Sequence, residues 1–493
     1  MTAKKHNRRT HAVIVLLACS LAGAASAWGQ GPTTPIQHLV VIFDENNSFD
    51  HYFGTYPRAL NPVGQPAFTA AAGTPSVNGL TPQLLTANPN SVQPFRLDRS
   101  QETTCDNDNH YADEQKAYDN GLVDKFPEST NATGCQAGLN MGYYDGNTVT
   151  ALWNYAQHYA MSDNFFDTEF GTTVMGHLNV ISGQTHTSSV TTIANKVANG
   201  SVIANVEAGF DDCVTTATGT PVQMTSKNIG DLLNAQNISW GWFYGDFPES
   251  ANGQPLPFAS CPSTYNSHYM PFQYYKSTSN IHHLGPASPA AIGTPADPAN
   301  HNYNISDFWT AANAGNLPAV TFLKATSNST GHPSNSSPLA EQQFLVQTIN
   351  ALQQLPQWSS MAIMITYDDS DGWYDHVMPP IVNQSNDPAQ DTLAGKAMCG
   401  TPAAGAYLDR CGYGTRLPFL VISPWAKQNY VSHELLDLTS ITRFIEDNWN
   451  LGRLGDQSFD ALAGSPLDLF NFTGAPRVKN LQLNPTTGEV AGK

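Results

Sequence analysis

Short runs of apolar residues, many of them β-branched or aromatic, recur along the chain between polar segments rich in Gly, Pro, Asn and Ser. Apolar runs without polar alternation are typical of strands that are buried on both faces, as in a parallel sheet. Five such runs predict strands: Leu39–Phe43, Ser239–Tyr244, Ala319–Leu323, Ala362–Thr366 and Leu417–Ser423.

Between these runs, apolar residues repeat with the spacing of a helix. In Glu341–Leu355, the side chains of Leu345 and Ile349 share one face, and Leu438–Trp449 has the same pattern with Ile441. Alternating strands and helices predict the α/β class, with a mostly parallel central sheet flanked by helices. Segments dense in Pro, Gly, Asn and Ser at about 56–104 and 190–300 predict loop-rich insertions that cap the sheet.

The N-terminus has the pattern of an export signal. Basic residues precede an apolar run over Ala12–Ala25, and Ala25-Ser26-Ala27 matches a small-residue cleavage site. The run is too short for a membrane-spanning helix, which needs about 20 apolar residues. We therefore expect a signal peptide over 1–27, a single domain over 28–493, and a protein that is exported and is periplasmic or secreted.

The charge of the chain limits its partners. It carries 22 basic and 40 acidic residues, a formal net charge of −18. Such a surface repels nucleic acid, so we expect no nucleic-acid partner. It also repels anionic small molecules at long range, and a phosphate site would therefore need a local positive centre such as a metal ion. No later segment is long and apolar enough to predict stable insertion into a membrane.

The cysteines predict disulfides. Of seven cysteines, Cys19 lies in the expected signal and six remain. An even number in a chain expected to be exported favours disulfides, and no C-x-x-C spacing supports a zinc or redox site. Pairing of neighbours along the chain would close three surface loops, and it predicts the pairs Cys105–Cys135, Cys213–Cys261 and Cys399–Cys411.

Acidic and amide side chains directly follow two of the predicted strands. Glu45 and Asn46 come after the first run, and Asp368 and Asp369 come after the fourth. Ligands of a parallel α/β sheet bind outside the carboxyl ends of its strands, so these residues converge if the two strands are neighbours. Packed carboxylates repel unless a cation lies between them, and oxygen ligands suit Ca²⁺, Mg²⁺ or Mn²⁺. The alternative is that these acids are solvated loop residues and helix caps.

A glycine turn followed by hydroxyl residues and a helix-like run lies at Phe170–Asn179. It predicts Thr173 at the N-terminus of a helix, where free N–H groups and the helix dipole favour an alkoxide or a phosphate. A metal ion touching the hydroxyl would lower its pKa further and make it a nucleophile. The alternative is plain capping, the commoner role of a threonine before a helix.

Several histidines lie in polar, loop-like contexts, where they can donate to phosphate oxygens or protonate a leaving group. For each one, the alternative is a surface or structural histidine. They are His110, His268, His282, His283, His332 and His376. The chain has no G-x-S-x-G elbow and no P-loop pattern, which disfavours an α/β-hydrolase esterase or a nucleotide hydrolase.

Five segments in order, covering about 36–472, resemble the blocks of the bacterial phosphoesterase family, which contains acid phosphatases and phospholipases C. The segments are Ile36–Gly54, Phe170–Thr185, Gly331–Pro333, Ile365–Pro380 and Tyr413–Trp425. The resemblance implies an alkaline-phosphatase-like α/β fold with one divalent metal ion. The implied metal ligands are Glu45, Asn46, Asp368, Asp369 and the hydroxyl of Thr173.

The resemblance also implies roles in the reaction. Thr173 corresponds to the family's nucleophile, and the family's active-site histidines fall on His110, His268 and His332. Many relatives have a His-His pair where this chain has His268-Tyr269, which leaves open the histidine role at that position.

The implied function is that of an exported, metal-dependent phosphoesterase of the acid-phosphatase type, which hydrolyses small phosphomonoesters through a phosphothreonine. One alternative is a phospholipase C, which would cut the headgroup phosphodiesters of phospholipids. An alternative of another class is a non-enzymatic exported protein whose acids hold a structural calcium ion.

Overall fold

The computed structural model describes residues 1–3, 31–215, 219–250 and 254–492. The expected signal peptide, apart from its first three residues, lies outside the described residues, as does its cleavage site. The strands are β1 (His38–Asp44), β2 (Phe95–Arg96), β3 (Gly142–Tyr143), β4 (Ala160–Ser162), β5 (Phe165–Phe166), β6 (Val197–Ala198), β7 (Ser201–Val202), β8 (Glu207–Ala208), β9 (Pro221–Val222), β10 (Trp240–Tyr244), β11 (Asn302–Asn304), β12 (Val320–Lys324), β13 (Met361–Tyr367), β14 (Phe419–Ile422), β15 (Tyr430–Ser432) and β16 (Leu436–Asp437).

An eight-stranded sheet forms the centre of the fold, in the order β11-β10-β12-β1-β13-β14-β4-β15. Its neighbouring strands are parallel except at β14, which runs antiparallel to both β13 and β4. All residues of β13 are buried, as its uninterrupted apolar sequence predicts. The predicted α/β class with a mostly parallel sheet is confirmed, and each of the five predicted strands is present.

The helices are α1 (Phe49–Phe53), α2 (Pro82–Thr86), α3 (Tyr111–Tyr118), α4 (Phe126–Ser129), α5 (Thr150–His158), α6 (Thr173–Ser182), α7 (Ile229–Ala235), α8 (Ile305–Asn313), α9 (Pro338–Leu352) and α10 (Leu438–Asn448). Both predicted helices exist, although α9 ends three residues earlier than predicted and also begins three residues earlier, because Ser337 caps it and Pro338 is its first residue. Strand β10, predicted as Ser239–Tyr244, belongs to the central sheet although it lies inside the segment 190–300 that the sequence also predicts as an insertion.

All three predicted disulfides are present. The Cα atoms of the pairs Cys105–Cys135, Cys213–Cys261 and Cys399–Cys411 are 5.8, 5.7 and 6.0 Å apart. The last pair is buried rather than at the surface. Among the described residues, no helix combines the length and the apolar character that a membrane crossing requires.

Candidate active site

The acidic residues predicted to converge lie at the carboxyl ends of β1 and β13. The two strands are parallel neighbours, and the pairing of Asp44 with Tyr367 places the residues that follow them side by side. The backbone N–H of Asn46 donates to Asp368 Oδ1 at 3.0 Å. Glu45, Asn46, Asp368 and Asp369 are all buried. The structure thus brings the two segments together, while the role of their side chains as ligands stays a prediction.

Asn46 turns the chain at the end of β1. Its φ is 58°, in the left-handed region that asparagine adopts more readily than most residues. Its side-chain Nδ2 donates to Asp371 Oδ1 at 3.0 Å, whereas its own Oδ1 has no hydrogen-bond partner. The turn therefore fixes the amide with its oxygen free to bind another group.

Helix α6 brings the predicted nucleophile to these acids. Thr172 is the N-cap and Thr173 the first helical residue, and the hydroxyl of Thr173 lies 3.4 Å from Asp369 Oδ2. Gly176 permits this approach, because a Cβ atom there would lie 1.9 Å from the carbonyl oxygen of Asp368. Thr173 thus lies at the N-terminus of a helix, as the sequence predicts, and beside the acids.

The three predicted histidines make their ion pairs or hydrogen bonds outside this group of acids. His110 is 64% exposed and pairs with Asp108, and this hydrogen bond is the main cause that raises the pKa of His110. His268 Nε2 lies 3.4 Å from Glu207 Oε1. His332 Nδ1 donates to the carbonyl of Pro333 at 2.6 Å.

The surroundings of His332 and His268 nevertheless connect them to the acids. His332 lies two residues after Thr330, whose backbone carbonyl accepts the N–H of Glu45 at 3.0 Å. His268 is followed by Tyr269, whose ring stacks on that of His177 with centroids 5.7 Å apart. His332 and His268 therefore border the acids through neighbouring residues, while His110 is the most exposed of the three.

Two residues that the sequence interpretation did not select touch the acids directly. His177 lies one turn after Thr173 in α6, and its Nδ1 is 3.5 Å from Asp368 Oδ2. Lys324 ends β12, is buried, and its ammonium group pairs with Glu45 Oε1. The four-residue spacing from Thr173 was a usable signal for His177, because residues at i and i+4 share a helix face. For Lys324 the usable signal was its position directly after the predicted strand Ala319–Leu323, where a charged residue lies at the same edge of the sheet as the acids.

Burial and mutual repulsion act together on these carboxyl groups. Burial raises the pKa of Glu45 well above its usual range, Asp368 adds to the rise, and Lys324 opposes it. Burial likewise raises the pKa of Asp369, with further repulsion from Asp368 and Asp371. One lysine does not balance this negative charge, so the ionised group requires another cation.

The buried side-chain atoms that lack partners show where such a cation would bind. Glu45 Oε2, Asn46 Oδ1 and Asp368 Oδ2 have no hydrogen-bond partner. Leaving a buried polar group unsatisfied costs about 1–3 kcal/mol, and more when the group is charged. Carboxylate and amide oxygens are the ligands that hard divalent ions prefer, so the residues present fit one divalent metal ion.

Comparison with known proteins places most of the chain in one family. A family model described as the Phosphoesterase family matches residues 36–452. This range contains β1, β13 and α6, and therefore all the residues that form the candidate site.

Curated relatives with related sequences carry phospholipase C names. A non-hemolytic phospholipase C of Burkholderia pseudomallei is 27% identical over 85% of this chain and 56% of the relative. Phospholipase C A of Mycobacterium tuberculosis is 25% identical over 91% of this chain and 81% of the relative. The chain thus spans a little over half the length of the Burkholderia protein. A solved structure of a protein in the alkaline phosphatase superfamily from Vibrio parahaemolyticus has a TM-score of 0.33 and 10% identity, covering 86% of this chain and 72% of that chain.

Proposed function

The chain belongs to the phosphoesterase family, and from this premise we propose that it hydrolyses phosphomonoesters, as an acid phosphatase does, with Thr173 as the nucleophile. The observation that carries the proposal is the position of the Thr173 hydroxyl, 3.4 Å from Asp369 Oδ2 and at the N-terminus of α6. A hydroxyl in plain capping would accept a backbone N–H, and the structure gives Thr173 this carboxylate contact instead.

The metal ion implied by the acids would be held by Glu45, Asn46, Asp368 and Asp369, together with the Thr173 hydroxyl. When bound, a divalent ion of this kind lowers the pKa of a hydroxyl ligand and draws charge from phosphate oxygens. The support for this ligand set is the group of unpartnered oxygens described above.

The reaction proceeds by two successive displacements at phosphorus. Thr173 Oγ releases its proton to solvent and attacks phosphorus in line with the ester oxygen, the bond to the alcohol breaks, and a phosphothreonine forms. Water then attacks the same phosphorus and releases inorganic phosphate and the free threonine. The dipole of α6 stabilises negative charge on Thr173 Oγ in both steps, because its positive end lies at that residue.

A histidine supplies the proton that the leaving alcohol needs. His332 and His268 border the acids, and His110 lies at the start of α3, where its hydrogen bond with Asp108 raises its pKa. Protonated imidazoles also neutralise charge on the phosphate oxygens, which is the main task in phosphoryl transfer. We assign proton donation to these three histidines and expect faster hydrolysis on the acid side of neutrality.

Two neighbouring threonines test the proposal. Thr173→Ala removes the nucleophile and should lower kcat/KM for nitrophenyl phosphate by at least about 10³-fold with the fold intact by circular dichroism. Thr172→Ala is the matched control, because the Thr172 hydroxyl caps no N–H and has no hydrogen-bond partner. Equal activity of the two variants would reject Thr173 as nucleophile. Unchanged properties of Thr173→Ala in a protein that binds calcium would favour the non-enzymatic alternative.

A phospholipase C is the second candidate, favoured by the names of the curated relatives. The two functions differ in whether the site admits one or two ester substituents on phosphorus. Assays with nitrophenyl phosphate, bis-nitrophenyl phosphate and phosphatidylcholine vesicles separate them. Activity on the vesicles alone would replace the acid-phosphatase proposal with the lipase.

We also propose that the protein is exported. The three disulfides support this, because disulfides persist in oxidising compartments such as the periplasm or the cell exterior. Fractionation of cells producing the full chain, with immunodetection of the protein in each fraction, tests it. Accumulation of unprocessed protein with free thiols in the cytoplasm would oppose export.

A further inference from the structure

The protonation of His177 is fixed by its position in α6. Its Nδ1 lies 2.8 Å from the carbonyl oxygen of Thr173, one helical turn earlier. A carbonyl only accepts hydrogen bonds, so Nδ1 carries the proton and Nε2 carries a lone pair.

No hydrogen-bond donor among the described residues pairs with the lone pair on Nε2 of His177. The side chain is completely buried, and Nε2 has no hydrogen-bond partner. Metal-binding histidines commonly donate one ring N–H to a carbonyl or carboxylate and present the other nitrogen to the ion. His177 shows the first half of this arrangement with Thr173, the proposed nucleophile.

A carboxylate oxygen of Glu45 lies close enough to His177 Nε2 for both atoms to bind one ion, since the two atoms are 3.9 Å apart. Glu45, His177 and Asp368 also form a group in which one potential ligand atom of each residue lies within 4.8 Å of the others. Two atoms bound to one ion at about 2.2 Å lie at most about 4.4 Å apart. The separation of Nε2 from Glu45 is therefore compatible with joint coordination.

We propose that His177 Nε2 is a further ligand of the metal ion at this site. The inference rests on the metal centre of the proposed function and adds a nitrogen donor to its oxygen ligands. Imidazole ligands favour transition-metal ions over Ca²⁺ and Mg²⁺, which bind oxygen almost exclusively. The site then prefers a metal such as Mn²⁺ or Zn²⁺ to Ca²⁺ and Mg²⁺.

A simpler account of His177 makes the opposite prediction. The ring packs edge-on against Phe43, with centroids 4.9 Å apart, and is stacked on Tyr269 at 5.7 Å. If His177 serves only this packing and the helix turn, it never contacts the metal. Its nitrogen then shows no hyperfine coupling to a bound Mn²⁺ ion, and the substitution of His177 does not change which metal ion the site prefers.

His301 provides a matched control. Its Nδ1 likewise lies 2.8 Å from a main-chain carbonyl, that of Trp240, and its Nε2 is also buried without a partner. Burial lowers its pKa to about 4. His301 belongs to none of the groups of metal-ligating side chains found among the described residues. His301 therefore carries its proton on the same ring nitrogen as His177 but has, within the described part of the chain, no neighbouring carboxylates with which to share a metal ion.

Pulsed electron paramagnetic resonance of the full chain loaded with Mn²⁺ tests the proposal. We expect directly bound ¹⁴N coupling in the unaltered protein, its replacement by ¹⁵N coupling after ¹⁵N-histidine labelling, and its loss in His177→Gln. His301→Gln should retain the coupling. Calorimetry should show at least about tenfold weaker Mn²⁺ binding to His177→Gln, with a smaller change for Ca²⁺.

The outcomes separate this inference from the function on which it rests. Mn²⁺ bound without nitrogen coupling in the unaltered protein overturns the inference even if His177→Gln does not fold. Coupling that survives in a folded His177→Gln, but not in His268→Gln or His332→Gln, moves the nitrogen ligand to that histidine and also overturns it. Absence of any tightly bound divalent ion would instead remove the metal centre of the proposed function.

Discussion

Two buried groups of carboxylates in this molecule each include a histidine, yet their charges are balanced differently. Asp50, Asp375 and His376 surround Arg416, whose Nη2 lies 3.2 Å from Asp50 Oδ1 and 3.1 Å from Asp375 Oδ2. His376 Nδ1 lies 2.6 Å from the other oxygen of Asp50. Glu45, Asp368 and Asp369 have comparable burial, but among the described residues their only ion pair with a lysine or arginine is that of Glu45 with Lys324.

The difference appears in the pKa values and in the hydrogen bonds. Although burial opposes the change, His376 and Arg416 lower the pKa of Asp50, and burial raises the pKa of Asp375 to about 6 against the opposing charge of Arg416. Burial and neighbouring carboxylates raise the pKa of Asp369 well above its usual range. None of the buried side-chain N or O atoms of Asp50, Asp375 or Arg416 lacks a partner, in contrast to Glu45 and Asp368. Composition alone makes the two groups look alike, and the missing counter-charge distinguishes a ligand site from a structural clamp.

The largest expected difference between the two groups of carboxylates comes from Asp369→Asn. Removing this carboxylate should lower kcat/KM for nitrophenyl phosphate by about 10³-fold, since a bound metal contributes several kcal/mol to charge stabilisation. The same substitution should make the chelator-treated protein more stable to urea, because it removes a buried charge that Asp368 and Asp371 repel. A less stable metal-free protein would show that Asp369 is a structural acid like Asp375.

Arg416→Met tests the other group. The change removes the cation between Asp50 and Asp375 and should lower the free energy of unfolding by about 3–5 kcal/mol, the usual cost of breaking a buried ion pair. Addition of a divalent metal ion should not restore this loss. Urea unfolding with and without the ion measures both effects. A loss below about 1 kcal/mol, the range of exposed pairs, would contradict the clamp.

The pH dependence of stability gives the smallest expected contrast. The raised pKa values of Glu45 and Asp369 mean that these groups contribute stability below their ordinary pKa, and the contribution is lost as the pH rises through the folded-state pKa. The contribution of Asp50 to stability depends on pH in the opposite direction. Because its pKa is lowered, this contribution is present near neutral pH and is lost as the pH falls through the acid range.

The metal-free protein should therefore lose stability from about pH 5 to pH 7, by up to about 1.4 kcal/mol per pH unit for each titrating group. A bound ion should remove the part of this slope that comes from the site. Other buried carboxyl groups, such as Glu446 with a pKa raised to about 9, are expected to contribute equally with and without the ion. The difference between two urea titrations isolates the site, and identical slopes would contradict the comparison.

The sequence predicted the framework and the direction of the active edge. Uninterrupted apolar runs located the central strands, and acids directly after β1 and β13 converged because parallel neighbours end at one edge. Thr173 was found from its glycine turn, and the cysteines from their order along the chain. These features depend on local patterns or on one simple property of parallel sheets.

Features that depend on tertiary packing were missed. Nothing local shows that the ammonium group of Lys324 pairs with Glu45, or that α6 packs so closely on Asp368 at Gly176 that a Cβ atom would not fit there. His177 looked like an ordinary residue of an apolar helix, although its spacing from Thr173 was visible. The antiparallel direction of β14 was also invisible, because an apolar run does not encode strand direction.

The reaction at Thr173 is expected to depend on a divalent ion held by Glu45, Asn46, Asp368 and Asp369, a group in which Glu45 Oε2, Asn46 Oδ1 and Asp368 Oδ2 lack hydrogen-bond partners. The most direct measurement compares hydrolysis of nitrophenyl phosphate by the exhaustively chelated protein before and after titration with Mn²⁺, with metal content followed by elemental analysis. The account predicts a loss of at least about 10²-fold on chelation and recovery at about one ion per chain. Full activity of protein shown to contain no metal would contradict it.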